Sequence, residues 1–365
     1  MAAAASNSRK SANWRRIRYG VLILVPIAIG AELLHASPIV IFALSALAII
    51  PLAGVLGSAT EELAGHTGPT AGGVLTATLG NFAELVIAAF ALRAGMVGLV
   101  KASITGSILG NLLLVLGAAL VAGGLKYKTQ KINPSLAQMN STLLVVAVLG
   151  LVLPALFHAL HPDPLQTATL HMSVWVAGLL LLGYLLSLMY SMYTHKRMFH
   201  DVATEPDAGR NAPTWSLRRS VAVLAGAALT IGVLSEILVS STDAAVKSLG
   251  LSEIFVGLIL IPIIGNAAEN SSAVLMAMKN RMDLAVGIAV GSSIQVALVV
   301  APLLVFLGLL FGKPMDLAFT TMEVASVALA VTVASSVMRD AESDWLEGAF
   351  LLIAYAAIAV AFFFF

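Results

Sequence analysis

Eleven stretches of roughly 20 mostly apolar residues follow one another along this chain, near 17–36, 38–60, 70–92, 95–123, 138–160, 167–193, 216–240, 251–278, 283–311, 315–338 and 343–365. In hydrocarbon no water satisfies the backbone, so stretches of this length have to become helices that close their own hydrogen bonds. The expected fold is therefore an all-α polytopic membrane protein with eleven transmembrane helices. Composition agrees, because 59% of the 365 residues are hydrophobic and only 11% are charged, which excludes an ordinary soluble domain. Cysteine is absent, which removes disulfides, thiolate metal sites and cysteine nucleophiles from consideration.

Basic residues orient such a chain. With a cytoplasmic N-terminus, sixteen of the 20 Lys and Arg fall inside, among them Arg15, Arg16 and Arg18, Lys126 to Lys131, Arg218, Arg219, Lys279 and Arg281. Only Arg93, Lys101, Lys247 and Lys313 fall outside. Residues 1–16 then form a cytoplasmic basic N-terminus, and 17–36 is an additional transmembrane helix. Read as a cleaved signal peptide ending at Ala36, that segment would leave the later topology unchanged. Arg15, Arg16 and Arg18 precede an apolar stretch and read as a topogenic signal, with no nucleic-acid partner expected.

The chain is also an internal duplication. Gly80-Asn81-Phe82-Ala83-Glu84 and Gly265-Asn266-Ala267-Ala268-Glu269 lie 185 positions apart, and Gly106-Ser107 falls on Gly291-Ser292 at the same offset. The two words lie in the third and eighth spans, an odd step of five, so their helices cross the membrane in opposite directions. The expected organisation is two inverted five-helix repeats, 38–193 and 216–365, joined by a cytoplasmic linker at 194–215. Inverted repeats place substrate sites near the bilayer midplane, beside interrupted helices. Gly80 and Gly265, the latter one turn after Pro262, are suitable breakpoints. In the linker, Asp201, Glu205 and Asp207 stand among Pro206, Gly209 and Pro213, a solvated connection by composition.

A glutamate within a membrane span is costly and marks a functional site by default. On a helix, Asn and Glu three apart share a face, with Gly one turn from Glu. Each word thus offers a carbonyl, an amide and a carboxylate: Gly80, Asn81 and Glu84, and Gly265, Asn266 and Glu269. The helix that follows adds Ser103, Ser107 and Asn111 in one half and Ser292, Ser293 and Gln295 in the other. All are hard oxygen donors of the kind Ca²⁺ takes six to eight at a time, and no thiolate or imidazole accompanies them. Two facing carboxylates in a low-dielectric site have to be neutralised, by a divalent cation in one state and by protons in another. A protein whose occluded transition requires that neutrality is an obligate exchanger of a divalent cation against protons, working by alternating access.

At these residues the chain resembles the cation/proton exchanger (CAX) family of the calcium/cation antiporter superfamily, over about residues 38–365. The resemblance implies ten core helices in two inverted halves, Ca²⁺ export driven by proton entry, and Glu84 and Glu269 as central ligands. Ala59-Thr60-Glu61-Glu62-Leu63 is similar to the family's second-helix segment, which implies an acidic residue, preferably Glu61, along the cytoplasmic cation path. The family's middle connection is usually strongly acidic, and here it holds three acids among basic residues.

Glu236, in mid-span seven, is a second candidate for the proton or cation path. His66 reads as interfacial, and His158, His161 and His171 as residues near the outer surface. Phe362 to Phe365 read as a membrane-edge anchor. No enzyme is expected, since no His-Glu-x-x-His, Gly-x-Gly-Asp or nucleophile with a base partner occurs. Two other transport readings stand beside proton exchange: a Na⁺-coupled cation/Ca²⁺ exchanger and a cation channel. A single midplane site in an inverted duplication favours alternating access over a pore. The expected ligands are Ca²⁺ and protons, with no cofactor, in a multi-pass protein of the cell inner membrane that is compatible with a homo-oligomer.

Overall fold

The computed structural model describes residues 22–161, 167–194 and 213–364. The basic N-terminus 1–16, the start of segment 17–36, most of the linker with Asp201, Glu205 and Asp207, and Phe365 lie outside the described residues. Within them the chain is helical apart from one two-residue antiparallel ladder, Gln130 with Ser343 and Lys131 with Glu342. Among the described residues seven helices are long and apolar enough to span a bilayer: Pro38–Thr67, Val97–Gly124, Pro134–Leu160, Thr167–Thr194, Leu217–Leu249, Met282–Leu310 and Trp345–Phe363. A bent pair, Glu253–Gly265 with Glu269–Ala277, makes an eighth candidate span. The structure thus gives a polytopic helical membrane protein; among the described residues the expected segments 17–36 and 315–338 contain shorter helices, Leu24–Leu33 and Thr321–Val337.

Local chemistry explains most boundaries. Ser37 is extended and Pro38 occupies the first helical turn, where its missing N–H leaves no bond unmade. Asn133 and Ser216 accept backbone N–H groups at their helix starts, and Thr320–Glu323 and Asp344–Glu347 form reciprocal capping boxes. Gly250, at φ 66, closes Leu217–Leu249 in the left-handed conformation that glycine tolerates.

The first half departs from the expected spans 38–60 and 70–92. Helical backbone runs from Pro38 to Leu79, with no loop at 61–69. Those 42 residues would extend roughly 63 Å if straight, about twice the hydrocarbon thickness. They are not straight. A Cβ on Gly72 would lie 2.6 Å from the Ala64 carbonyl oxygen, although eight residues of straight helix rise about 12 Å. The chain folds back between these two positions, and the absent side chain at Gly72 permits the close return. Glu61 is accordingly exposed just before the reversal, where a free helix end was expected.

Val97–Gly124 is central, with 83% of its most apolar window buried, whereas Trp345–Phe363, at 17%, is peripheral and turns Phe350, Ile353 and Val360 outward. Close helix contacts use glycine, as is usual where packing and not water drives association. A Cβ on Gly106 would fall 2.0 Å from the Leu258 carbonyl oxygen, and one on Gly257 would fall 2.8 Å from Ala102 Cβ and 2.9 Å from the Leu99 carbonyl oxygen. The counterparts at the 185-residue offset differ. Gly291 has open space around it, and the nearest neighbours of a Cβ on Gly72 are atoms of Ala64 in its own hairpin. Elsewhere the halves are tied by polar bonds, Lys101 Nζ donating to Asp316 Oδ1 at 2.5 Å and to the Ala318 carbonyl at 2.9 Å, and the Asn133 N–H donating to Asp283 Oδ1 at 2.5 Å.

Candidate cation site

Both Gly-Asn words interrupt helices. Asn81 has φ −93, ψ 26 and Asn266 has φ −90, ψ 5, the sparsely allowed region between helix and strand, and each begins a new helix, Phe82–Arg93 or Ala267–Ala277. The break follows from the residues. Glycine is a poor helix former, asparagine competes for backbone hydrogen bonds, and Pro262 can donate no N–H to the turn preceding the second word. That turn, Val256–Leu260, is wound as a π-helix. At this break the second span bends by 64°. Each glutamate stands in the first turn of the new helix, where the N-terminal dipole favours negative charge.

The two words then meet crosswise. A Cβ on Gly80 would stand 3.2 Å from Glu269 Oε1 and 3.5 Å from Gln295 Oε1; one on Gly265 would stand 2.9 Å from Glu84 Cγ and 3.3 Å from Glu84 Oε1. Each carboxylate therefore rests against the glycine of the other half, and the Glu84 and Glu269 charges act on one another. Glu84 is buried and Glu269 half-buried.

Ser107, Ser292 and Gln295 lie on the helices Val97–Gly124 and Met282–Leu310, which pass π-wound turns at Gly110–Val115 and Val296–Val300. Asn81 Nδ2 donates to Gln295 Oε1 at 2.7 Å, and Ser292 Oγ donates to Asn81 Oδ1 at 2.7 Å. Asn111 Nδ2 donates to Ser292 Oγ at 3.0 Å. On the other side, Asn266 Nδ2 donates to the Pro262 carbonyl at 3.1 Å and to Ser107 Oγ at 3.3 Å. Three acceptor atoms at this junction are buried with no hydrogen-bond donor: Glu84 Oε1, Glu269 Oε2 and Asn266 Oδ1. Unpaired acceptors in a low-dielectric interior are expensive, and what satisfies carboxylate and amide oxygens together is a hard cation or, on the carboxylates, protons. Among the described residues no three acids or imidazoles cluster, so the remaining donors are neutral oxygens.

All nine residues read from the sequence as ligands thus occupy this junction. The two path residues do not join it. Glu61 is exposed beside the chain reversal, and Glu236 is exposed on the helix face that also turns Val233 and Ser240 outward. Near that reversal Glu62 accepts from Thr214 Oγ1 at 2.6 Å and the Trp215 N–H at 3.0 Å, and His66 Nε2 donates to the Trp215 carbonyl at 2.8 Å. Two site residues were not read from the sequence. Buried Tyr184 lies near Gln295, and Asn270, one turn beyond Asn266, leaves its Oδ1 buried and unpartnered. Asn270 stands where the first half has Leu85, and such a polar departure from the repeat was the available signal. Tyr184 has no counterpart within the chain and gave none.

Comparison with known proteins extends the picture. A family model described as sodium/calcium exchanger protein matches residues 37–193 and 219–364. The chain is 43% identical to a Ca²⁺/H⁺ antiporter of Aphanothece halophytica over 367 residues, covering 96% of this chain and 97% of that one. It is 40% identical to the Ca²⁺/H⁺ antiporter ChaA of Bacillus subtilis, covering 93% and 96%, and 38% identical to vacuolar cation/proton exchanger 3 of Oryza sativa subsp. japonica, covering 93% and 85%. Among solved structures, native YfkE superposes with a TM-score of 0.82 at 37% identity, over 96% of this chain and 100% of that one. An H⁺/Ca²⁺ exchanger superposes with a TM-score of 0.74 at 15% identity, over 96% and 92%, a likeness of fold.

Proposed function

The chain belongs to the sodium/calcium exchanger protein family, and from that premise we propose that it is a secondary transporter exchanging Ca²⁺ for protons by alternating access. The observation that carries this reading is the junction of the two Gly-Asn words, where Glu84 Oε1, Glu269 Oε2 and Asn266 Oδ1 are buried without a donor. Glu84 and Glu269 are the central ligands of the transported cation. Gly80 and Gly265 carbonyls, Asn81, Asn266, Ser107, Ser292 and Gln295 surround these carboxylates and form the rest of the site. Protons replace the cation on the same two carboxylates during the return, so a second proton site is unnecessary. The printed names of relatives at 38–43% identity, Ca²⁺/H⁺ antiporters and vacuolar cation/proton exchangers, support the same ion pair.

In this reading the chain has eleven spans, with the N-terminus and linker 194–215 on the cytoplasmic side of the cell inner membrane. Residues 38–193 and 216–365 are inverted repeats that exchange conformations, and the added helix 17–36 belongs to neither. The unequal glycine contacts support one captured state. Gly106 and Gly257 seal the outer approach against the opposite half, while Gly291 leaves the inner approach open, as in a cytoplasm-facing transporter.

The test is cation-dependent proton flux in proteoliposomes under a pH gradient, with Ca²⁺, Mn²⁺, Na⁺ and K⁺ compared. Ca²⁺ is expected to release protons. Flux driven by Na⁺ with no response to the pH gradient would turn the assignment to a Na⁺-coupled exchanger, and cation flux with no proton counter-flow would turn it to a channel.

A further inference from the structure

The duplicated asparagines are identical in sequence but not in surroundings. Asn81 is held at both ends, its Nδ2 donating to Gln295 Oε1 and its Oδ1 accepting from Ser292. Exchanging its amide oxygen and nitrogen would still leave each end facing a group that donates and accepts, so the side chain is engaged in either orientation. Two further side chains stand beside those partners: Asn111 donates to Ser292, and the Tyr184 hydroxyl lies near Gln295. Neither neighbour is duplicated. At the 185-residue offset, Gln295 corresponds to Gly110 and Asn111 to Val296.

Asn266 lacks such a frame. One of its amide ends faces the Pro262 carbonyl, which can only accept, so that end has to be the nitrogen. The orientation is thereby determined, and the oxygen is the end left over. Asn266 is 2% exposed, and its Oδ1 finds no donor. An oriented, buried, unpartnered amide oxygen beside two carboxylates of which each also leaves an oxygen unpaired is a cation ligand in waiting.

We propose that the two motif asparagines do different work: Asn266 coordinates the transported cation through Oδ1, whereas Asn81 is a positioning residue, fixed by Ser292 and by Gln295, that sets where the opposite half's side chains stand. This rests on the Ca²⁺/H⁺ reading and divides the amide ligands of that site unequally between the repeats. The cation is therefore held chiefly by oxygens of the second word plus Glu84, and the first half supplies the frame.

The experiment compares Asn266→Ala, Asn81→Ala and Tyr184→Phe in proteoliposomes, recording the apparent KM for Ca²⁺ and for Mn²⁺ and the maximal rate. Asn266→Ala should raise the Ca²⁺ KM about tenfold, the equivalent of one lost ligand at about 1.4 kcal/mol. It should also change the Mn²⁺/Ca²⁺ KM ratio at least about threefold, because a ligand contributes differently to ions of different size and preferred geometry. Asn81→Ala and Tyr184→Phe should lower the maximal rate and leave that ratio within about twofold of wild type, since a frame acts on both ions alike. Should Asn266→Ala fail to fold, Asn266→Ser in detergent, which keeps the bond to Pro262, should need about tenfold more Ca²⁺ for thermal stabilisation than wild type. Equal changes of the ratio at the two asparagines, or an unchanged Ca²⁺ requirement at position 266, would overturn the division of labour. Wild-type protein that shows no Ca²⁺-driven proton release would instead remove the reading on which the proposal stands.

Discussion

Gly106 and Gly291 occupy equivalent places in the two halves, yet replacing each by alanine should have different consequences. At Gly106 the new Cβ would lie 2.0 Å from the Leu258 carbonyl oxygen, and ordinary contact begins at 3.4 Å, so the two helices have to part by about 1.4 Å. The obstacle is backbone and cannot swing aside. Overpacking of this kind costs about 1–3 kcal/mol, and a backbone obstacle places Gly106→Ala at the upper end. At about 3 kcal/mol the closed outer contact loses about two powers of ten in population relative to its open form. Gly106→Ala should therefore lower the melting temperature of the purified protein by several degrees and slow exchange. Gly291→Ala meets nothing within 4 Å in this state and should leave the melting temperature unchanged. Its penalty falls on the opposite state, in which Gly291 has to approach the other half as Gly106 does here, so exchange should slow in a protein of normal stability. Because the chain has no cysteine, Gly291→Cys gives a clean label site. A membrane-impermeant maleimide should modify it from the cytoplasmic side, and cation conditions that drive the transporter outward should protect it. Equal destabilisation by the two alanine substitutions, or a Gly291→Cys thiol whose reactivity never changes with those conditions, would refute the reciprocal use of these glycines.

Other consequences can be measured on the same material. Lowering pH on the cation-loading side should raise the Ca²⁺ KM by up to about tenfold per pH unit for each proton displaced, with little loss of maximal rate, because protons and Ca²⁺ compete for the same carboxylates. A falling maximal rate at constant KM would contradict that competition. Asp316→Asn keeps an acceptor oxygen but removes the negative charge paired with Lys101 Nζ, a partly buried cation, and should destabilise the protein by about 1–3 kcal/mol in a thermal melt. His66→Ala removes one exposed bond to Trp215 and should retain measurable exchange. Loss of exchange there would place His66 in the ion path.

The candidate site was more legible in the sequence than the spans that carry it. Gly80-Asn81 and Gly265-Asn266 could be read as breaks because glycine, asparagine and Pro262 weaken helices by local chemistry alone. Glu84 and Glu269 stood out because a membrane span has no cheap place for a carboxylate. The fold-back between Ala64 and Gly72 was hidden: expected as a loop, it retains helical backbone and turns on a contact made only after folding. Glu61 was read through its likeness to the family's second-helix segment and Glu236 from its place in mid-span, and neither signal reveals which face of the helix the acid takes. Tyr184, Asn270 and the unequal asparagines escaped for a related reason. A repeat argument assumes that equivalent residues have equivalent neighbours, whereas Gln295 and Asn111, each present in one half only, break that equivalence through side-chain contacts between halves.

The most direct test is Ca²⁺-driven proton release from proteoliposomes carrying wild type, Glu84→Gln or Glu269→Gln. Glutamine keeps the size and one carbonyl oxygen but removes a charge and a proton carrier, so each variant should be folded and should exchange no Ca²⁺ for protons while wild type does. Near wild-type exchange by both variants in vesicles with a pH gradient would contradict the account at its centre.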